Sequence, residues 1–264
     1  MDTKSPLHAR IALGLALFIP LFLAASALGT KYGAWDWQTG LLALTFGGGL
    51  LLIGLALLLA IVSLVLILRK PPRTGWPLAL VALLIPLAFV GLGLSAASKG
   101  AANPIHDVAT DTADPPQFSS ATLEARVRAG ANPLNDYSVP LGELDMWREA
   151  GIEDPLAAQS HAEVIAANYP DLEPLSFDAP RGEALEAVRE AMAAAGLADI
   201  RKDEEAGRVE GVAETFWFGF KDDVVARIED GEIDLRSVSR VGQSDLGANA
   251  ERLRELRAAI AERL

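Results

Sequence analysis

Two arginines, Arg236 and Arg240, stand four residues apart in the stretch "IDLRSVSRVGQSDLGANAERL", Ile233 to Leu253. The stretch alternates apolar and polar residues, breaks at Gly242 and Ser244, and then takes on helical spacing. Residues two or four apart on a strand share a face, so both guanidinium groups and Arg227 of the preceding run point the same way. Guanidinium forks bind carboxylates and phosphates bidentately, and the free amides of a starting helix add directed donors at a positive dipole end. Arg227, Arg236, Arg240, Gly242 and Ser244 are therefore candidates for holding an anionic small molecule or an acidic partner. A plainer reading is a solvated face in which Arg227 pairs with Asp234 and Arg236 lies diagonal to Asp223. Exposed pairs of that kind contribute only ~0–1 kcal/mol. A third reading makes Asp107 or Asp111 the internal partner of the arginines, turning the corner into a structural lock.

Acid–base and metal chemistry have one other place to reside. His106, Asp107, Asp111 and Asp114 fall in "NPIHDVATDTADPPQF". Oxygen-rich loops hold calcium, but this spacing fits no EF-hand and Pro115-Pro116 follows at once, so an acidic connector is the simpler reading. His106, Asp107 and Asp111 join the candidate set, as ligand contacts or as the acid–base groups of a hydrolase. "GQSDLG" approximates a nucleophile elbow, yet position 246 is leucine, and Ser244 reads better as a helix cap. Asp222 and Asp223 point to opposite strand faces and form no dyad. His161 is expected on a helix surface. The aromatic run "TFWFGF", 215–220, reads as a strand with at least one set of rings in the core; the alternatives are a hydrophobic pocket or a surface laid against lipid. No catalytic residue, metal or cofactor is assigned.

What must position these groups is a chain of two characters. Residues 1–100 hold seven Lys/Arg and two Asp/Glu, while 101–264 hold 16 basic and 33 acidic residues, a net of −17. That balance repels phosphate backbones and excludes nucleic acid as a partner. Uncharged apolar runs at 11–28, 41–68 and 76–94 are near the length a bilayer requires. Trp35, Trp37 and Trp76 edge them, and Gly47-Gly48-Gly49 is expected near the outer end of the second. Lys4, Arg10, Arg69, Lys70 and Arg73 outnumber Lys31 and Lys99, which places the amino terminus and the second loop inside the cell. The expectation is a multi-pass inner-membrane protein with residues 101–264 on the periplasmic or outer side. "AASALG" resembles a signal-peptidase site at Ala25 and Ala27; cleavage there leaves two spans and the same orientation. With no cysteines, disulfide and thiolate chemistry are absent.

Residues 96–140 read as an extended connector anchored by Ile105, Val108 and Phe118. Helices are expected at 119–129, 142–150 and 155–168, and a short strand at 172–177. A further helix is capped by Asp178, buries Leu185, Val188 and Met192, and ends at Gly196. Strands follow at 198–202, 208–218, 222–228 and 232–241. Asp230-Gly231 forms a tight hairpin that sets Ile228 opposite Ile233, Ala226 opposite Leu235 and Val225 opposite Arg236. A last helix from Asp245 presents Leu246, Leu253, Leu256 and Ile260. The fold class is α+β: an antiparallel sheet packed by helices, preceded by three transmembrane helices.

"NPIHDVATDTADPPQF", "YPDLEPL" at 169–175 and "VEGVAETFWFGFKDDVVARI" through "ANAERL" together resemble the bacterial domain-of-unknown-function family numbered 1499. The likeness spans roughly 103–264, and it implies a soluble domain that often follows membrane spans, with no assigned activity. The combined expectation is a membrane-anchored domain of the cell envelope that binds an anionic ligand or an envelope protein. The alternatives are an envelope hydrolase or a structural subunit of an envelope complex.

Overall fold

The computed structural model describes residues 5–229 and 231–264; Lys4 and Asp230, used above for orientation and for the hairpin turn, lie outside the described residues. The chain forms two compact units, Met1–Ser98 with Phe216–Gly219, and Lys99–Thr215 with Phe220–Leu264.

The first unit contains α1 (Leu7–Lys31), a π-helical segment (Gln38–Gly49) continuous with α2 (Leu50–Arg69), and α3 (Trp76–Ala102). Each stretch is long and apolar enough to cross a membrane. The helices outrun the apolar runs because hydrogen bonding continues through small residues after hydropathy fades. The third ends at Ala102, where Pro104 pushes Asn103 out of helical geometry. Ala12, Ala16, Ala60 and Ala82 form one contact cluster, and Ala9 and Ala79 meet Ile67 in another. Lipid offers no hydrophobic drive between helices, so small side chains that permit close backbone approach hold them together. Gly47–Gly49 close the π-helical segment, well inside the 32-residue helix Gln38–Arg69 rather than at its end. The reason is packing: a Cβ on Gly48 would stand 2.9 Å from the Phe22 ring of α1.

In the second unit the elements run β1 (Asp107–Ala109), α4 (Ser120–Arg128), a 3-10 turn (Leu141–Glu143), α5 (Asp145–Glu149), α6 (His161–Asn168) and β2 (Leu175–Ser176). Then come α7 (Arg181–Ala194), β3 (Ala198–Asp203), β4 (Arg208–Glu214), β5 (Lys221–Glu229), β6 (Glu232–Ser239) and α8 (Ala248–Ala261). The sheet order is β1-β6-β5-β4-β3, with β2 also on β6 and every pairing antiparallel. This is the α+β architecture read from the sequence. The hairpin register matches residue for residue: Ile228–Ile233, Ala226–Leu235, Val225–Arg236 and Arg227–Asp234 are partners.

One sheet face carries the main core. Val209, Val224, Ala226, Ile228, Ile233 and Leu235 pack on Leu185, Val188 and Met192 of α7 and on Leu253, Leu256 and Ile260 of α8. The other face is not solvated, contrary to the plainer reading of the arginines. Val225 and Val238 pack with Phe118 and Leu134, and α4 lays Thr122 and Arg126 over β4 and β5. The residues read as a connector supply this cover. Ile105, Val108 and Phe118 are buried as expected, but 107–109 is a sheet strand, because β6 would otherwise leave its ladder groups unpaired.

Three local expectations change. The residue before α7 is Pro180, with no side-chain cap from Asp178. The third expected helix begins at His161, because Ser160 and Glu163 close a capping box there. Strand β4 ends at Glu214, and the aromatic residues after it form a turn.

Candidate functional site

Arg236, Arg240 and Asp107, of the candidate residues, fall in a largely buried polar layer on the second sheet face. Arg236 and Asp107 are near neighbours across the β6–β1 pair, where Asp107 opposes Val238. Arg236 Nε donates to Asp107 Oδ1 at 3.0 Å and Nη2 to Oδ2 at 2.7 Å. Tyr137 Oη donates to the same Oδ1 at 2.5 Å, and Arg236 Nη1 reaches the Pro116 carbonyl at 3.3 Å. The guanidinium lies 5.9 Å from the Phe118 ring centre and 5.2 Å from that of Tyr137. Arg236 is 2% exposed and Asp107 is fully buried. Burial alone would raise the Asp107 carboxyl, but the Arg236 charge and the hydrogen bonds from Arg236 and Tyr137 overcome it and hold it below the ordinary carboxylate value. Burial, then the Asp107 charge, pushes the Tyr137 phenol well above its usual range.

Arg240 belongs to a second ion-pair group. Its Nε and Nη2 donate to Asp223 at 2.9 and 2.6 Å, and Arg126 of α4 donates to Asp223 Oδ2 at 2.6 Å. Asp223 is therefore the partner of Arg240 and Arg126, while Arg236 turns to Asp107. Arg227 pairs with Asp234 as expected, at 2.9 Å, and also with Asp111 at 3.3 Å and Asp114 at 2.6 Å. A third group surrounds Glu210, which accepts from Ser119 Oγ, Thr122 Oγ1 and Arg201.

The turn after β6 is closed from within. Gly242 adopts a φ of +89°, which favours glycine, and its carbonyl accepts from Asn132 Nδ2 at 2.7 Å. Ser244 Oγ donates to the Asn103 carbonyl at 2.5 Å and accepts from Leu246 N. The carboxylate at the start of α8 is that of Asp245, which accepts from the amides of Gly247 at 2.7 Å and Asn249 at 2.9 Å. Burial raises the Asp245 carboxyl, with those amides working against it. Helix α8 begins only at Ala248, so Leu246 drops off the buried stripe and is exposed.

His106 is fully buried, stacked on Trp147 with ring centres 5.5 Å apart, and burial drives its pKa down. Neither ring nitrogen makes a hydrogen bond of ordinary geometry. His161 lies inside, not on a helix surface. It stacks on Tyr137 and meets Trp147 edge-on, and burial lowers its pKa to about 4. Burial favours the neutral form of both imidazoles, His106 against Trp147 and His161 against Tyr137 and Trp147. Among the described residues no group of three His, Asp or Glu side chains is disposed to hold a metal.

A cleft of about 670 Å³ opens beside this layer, lined by Thr112, Ala113, Gln117, Asn135, Tyr137 and Arg236 among others. Arg236 borders it while itself almost wholly buried, and His106 and Asp107 do not line it. The sequence reading missed Tyr137, Arg126, Glu210 and Trp147. Arg126 falls in "EARVR", which local pattern reads as a charged helix surface, and only the placement of α4 on the sheet reveals its role.

The fold and site define a membrane-associated α+β domain with an ion-pair layer buried on one face of an antiparallel sheet. The family model for "protein of unknown function (DUF1499)" matches residues 107–260, from β1 into α8, and the chain belongs to that family. Searches of curated proteins and of solved structures return no match.

Proposed function

We propose that this protein is a non-catalytic, membrane-anchored binding domain of the cell envelope that takes a small polar ligand in the cleft over Tyr137 and Arg236. The observation that carries this reading is the cleft itself: about 670 Å³, within the range of small-molecule sites, with polar groups from two loops and β6 converging on it. The charges of Arg236, Arg240 and Arg227 are met by internal carboxylates, which favours the structural-lock reading of the corner over a free anion site. A ligand here is held by hydrogen bonds from Asn135, Gln117 and Thr112, with shape supplied by Leu134 and Ala162. The burial of His106 and Asp107 away from the cleft speaks against hydrolysis through them.

The test uses the full chain extracted from its own membranes. Ala113→Trp adds bulk to the cleft lining and replaces no member of an ion pair. Small molecules released on denaturation and identified by mass spectrometry should include one carried by the wild type and missing from Ala113→Trp at equal melting temperature. Identical small-molecule content in the two proteins would sink the reading.

A further inference from the structure

The tip between β4 and β5 presents Phe216 and Trp217, which are 73% and 53% exposed. Among the described residues after Ala102 these are the only large aromatic side chains left exposed. The turn "TFWFGF" contains no charge, in a region whose net charge is −17. It is also closed by its own bonds. Thr215 N donates to the Phe220 carbonyl at 2.8 Å, Phe220 N donates to Thr215 Oγ1 at 2.9 Å, and Gly219 takes a φ of +67°. The two rings meet edge to face, 5.2 Å between centres. A fixed pair of aromatic rings held out of the core loses little entropy on docking and needs an apolar, partly wet surface to meet.

The surface is identified by the turn's neighbours. Phe216–Gly219 falls in the same compact unit as the three long apolar helices. Lys31, the last residue of α1, donates through Nζ to the Phe216 carbonyl at 3.0 Å and stands 5.4 Å over the Phe216 ring. A lysine at the end of a spanning helix marks the headgroup level, and Trp35 and Trp37 follow it closely in the chain. We propose that the 215–220 turn is an interfacial foot, inserting Phe216 and Trp217 into the headgroup–acyl boundary of the bilayer that the helices cross. This is independent of the cleft, and it gives the aromatic run a role that core packing does not.

The absence of cysteine makes the test clean, since Phe216→Cys supplies the one thiol in the chain. The full chain carrying an environment-sensitive fluorophore there is reconstituted into vesicles of phosphatidylcholine and phosphatidylglycerol. Lipids bearing a spin label near the headgroup should quench it severalfold more than the same fluorophore at Val127→Cys, an 81% exposed position on α4. Quenching equal to that at position 127 overturns the proposal. A blue-shifted emission without lipid quenching also overturns it, since a second copy or another protein would then cover the rings. If Phe216→Cys fails to fold, Trp217→Cys carries the same label to the same two outcomes.

Discussion

At the scale of single residues, Arg236 and Asp107 show what a buried ion pair demands. Both are shut away from water, and the carboxylate accepts three hydrogen bonds from two residues. Removing one partner strands the other, at a cost of about 3–5 kcal/mol. Arg236→Gln should accordingly lower the melting temperature of the full chain in detergent far more than Arg128→Gln, whose pair with Glu124 is solvated. Equal shifts would show that the corner is not a lock. His161 gives a pH dependence of definite sign. Its folded pKa of about 4 lies below the unfolded value near 6.5, so the folded state refuses a proton that the unfolded chain accepts. Stability is full above about 6.5 and falls as pH drops toward 4, by up to ~3 kcal/mol for this group; burial of His106 acts in the same direction. His161→Phe keeps the stack on Tyr137 and should flatten that decline between pH 6.5 and 4 in melting curves. An unchanged slope would place the titration elsewhere.

Elements show why the sequence was legible in some places and opaque in others. The β5–β6 register followed from a two-residue turn and strict alternation, because a slip by one would expose every apolar residue of the hairpin. Leu235 sits fully buried against the α7 and α8 side, so Leu235→Ala should cost about 2–5 kcal/mol in denaturant unfolding. A loss below 1 kcal/mol would contradict the packing. The same alternation misled over "TFWFGF", where Gly219 and the Thr215–Phe220 bonds turn the chain before the strand pattern ends. It also left the second face looking solvated. Period-2 reading separates two faces but does not say what covers each, and the cover here comes from residues far back in sequence, Phe118, Arg126 and Leu134. The pairs Arg227–Asp234 and Arg236–Asp107 were within reach of the sequence reading, while Tyr137 was not: it reaches Asp107 from 30 positions away, across chain with no periodic signal.

The molecule as a whole joins a region of net positive charge to one of net −17, and the basic residues of the first region are what predict its orientation. Basic residues near span ends resist translocation, so the side carrying most of them stays in the cytoplasm. Arg10 lies near the start of α1 and Arg69, Lys70 and Arg73 at the connection from α2 to α3, whereas Lys31 and Lys99 lie near the far ends of α1 and α3. Three crossings would then carry everything after α3 outward, and this is the expectation that labelling tests. Acidic residues contribute little to the rule, so the 33 carboxylates of the second region neither drive nor block this arrangement. In intact cells, a membrane-impermeant maleimide should label Val127→Cys and leave Thr74→Cys, in the α2–α3 connection, unreacted until the membrane is opened. A reporter enzyme active only in the cytoplasm, fused after Leu264, should be silent for the same reason. Labelling of position 74 from outside, or an active reporter, would invert the orientation. It would also place the 670 Å³ cleft in the cytoplasm, where its ligand would have to be sought among internal metabolites.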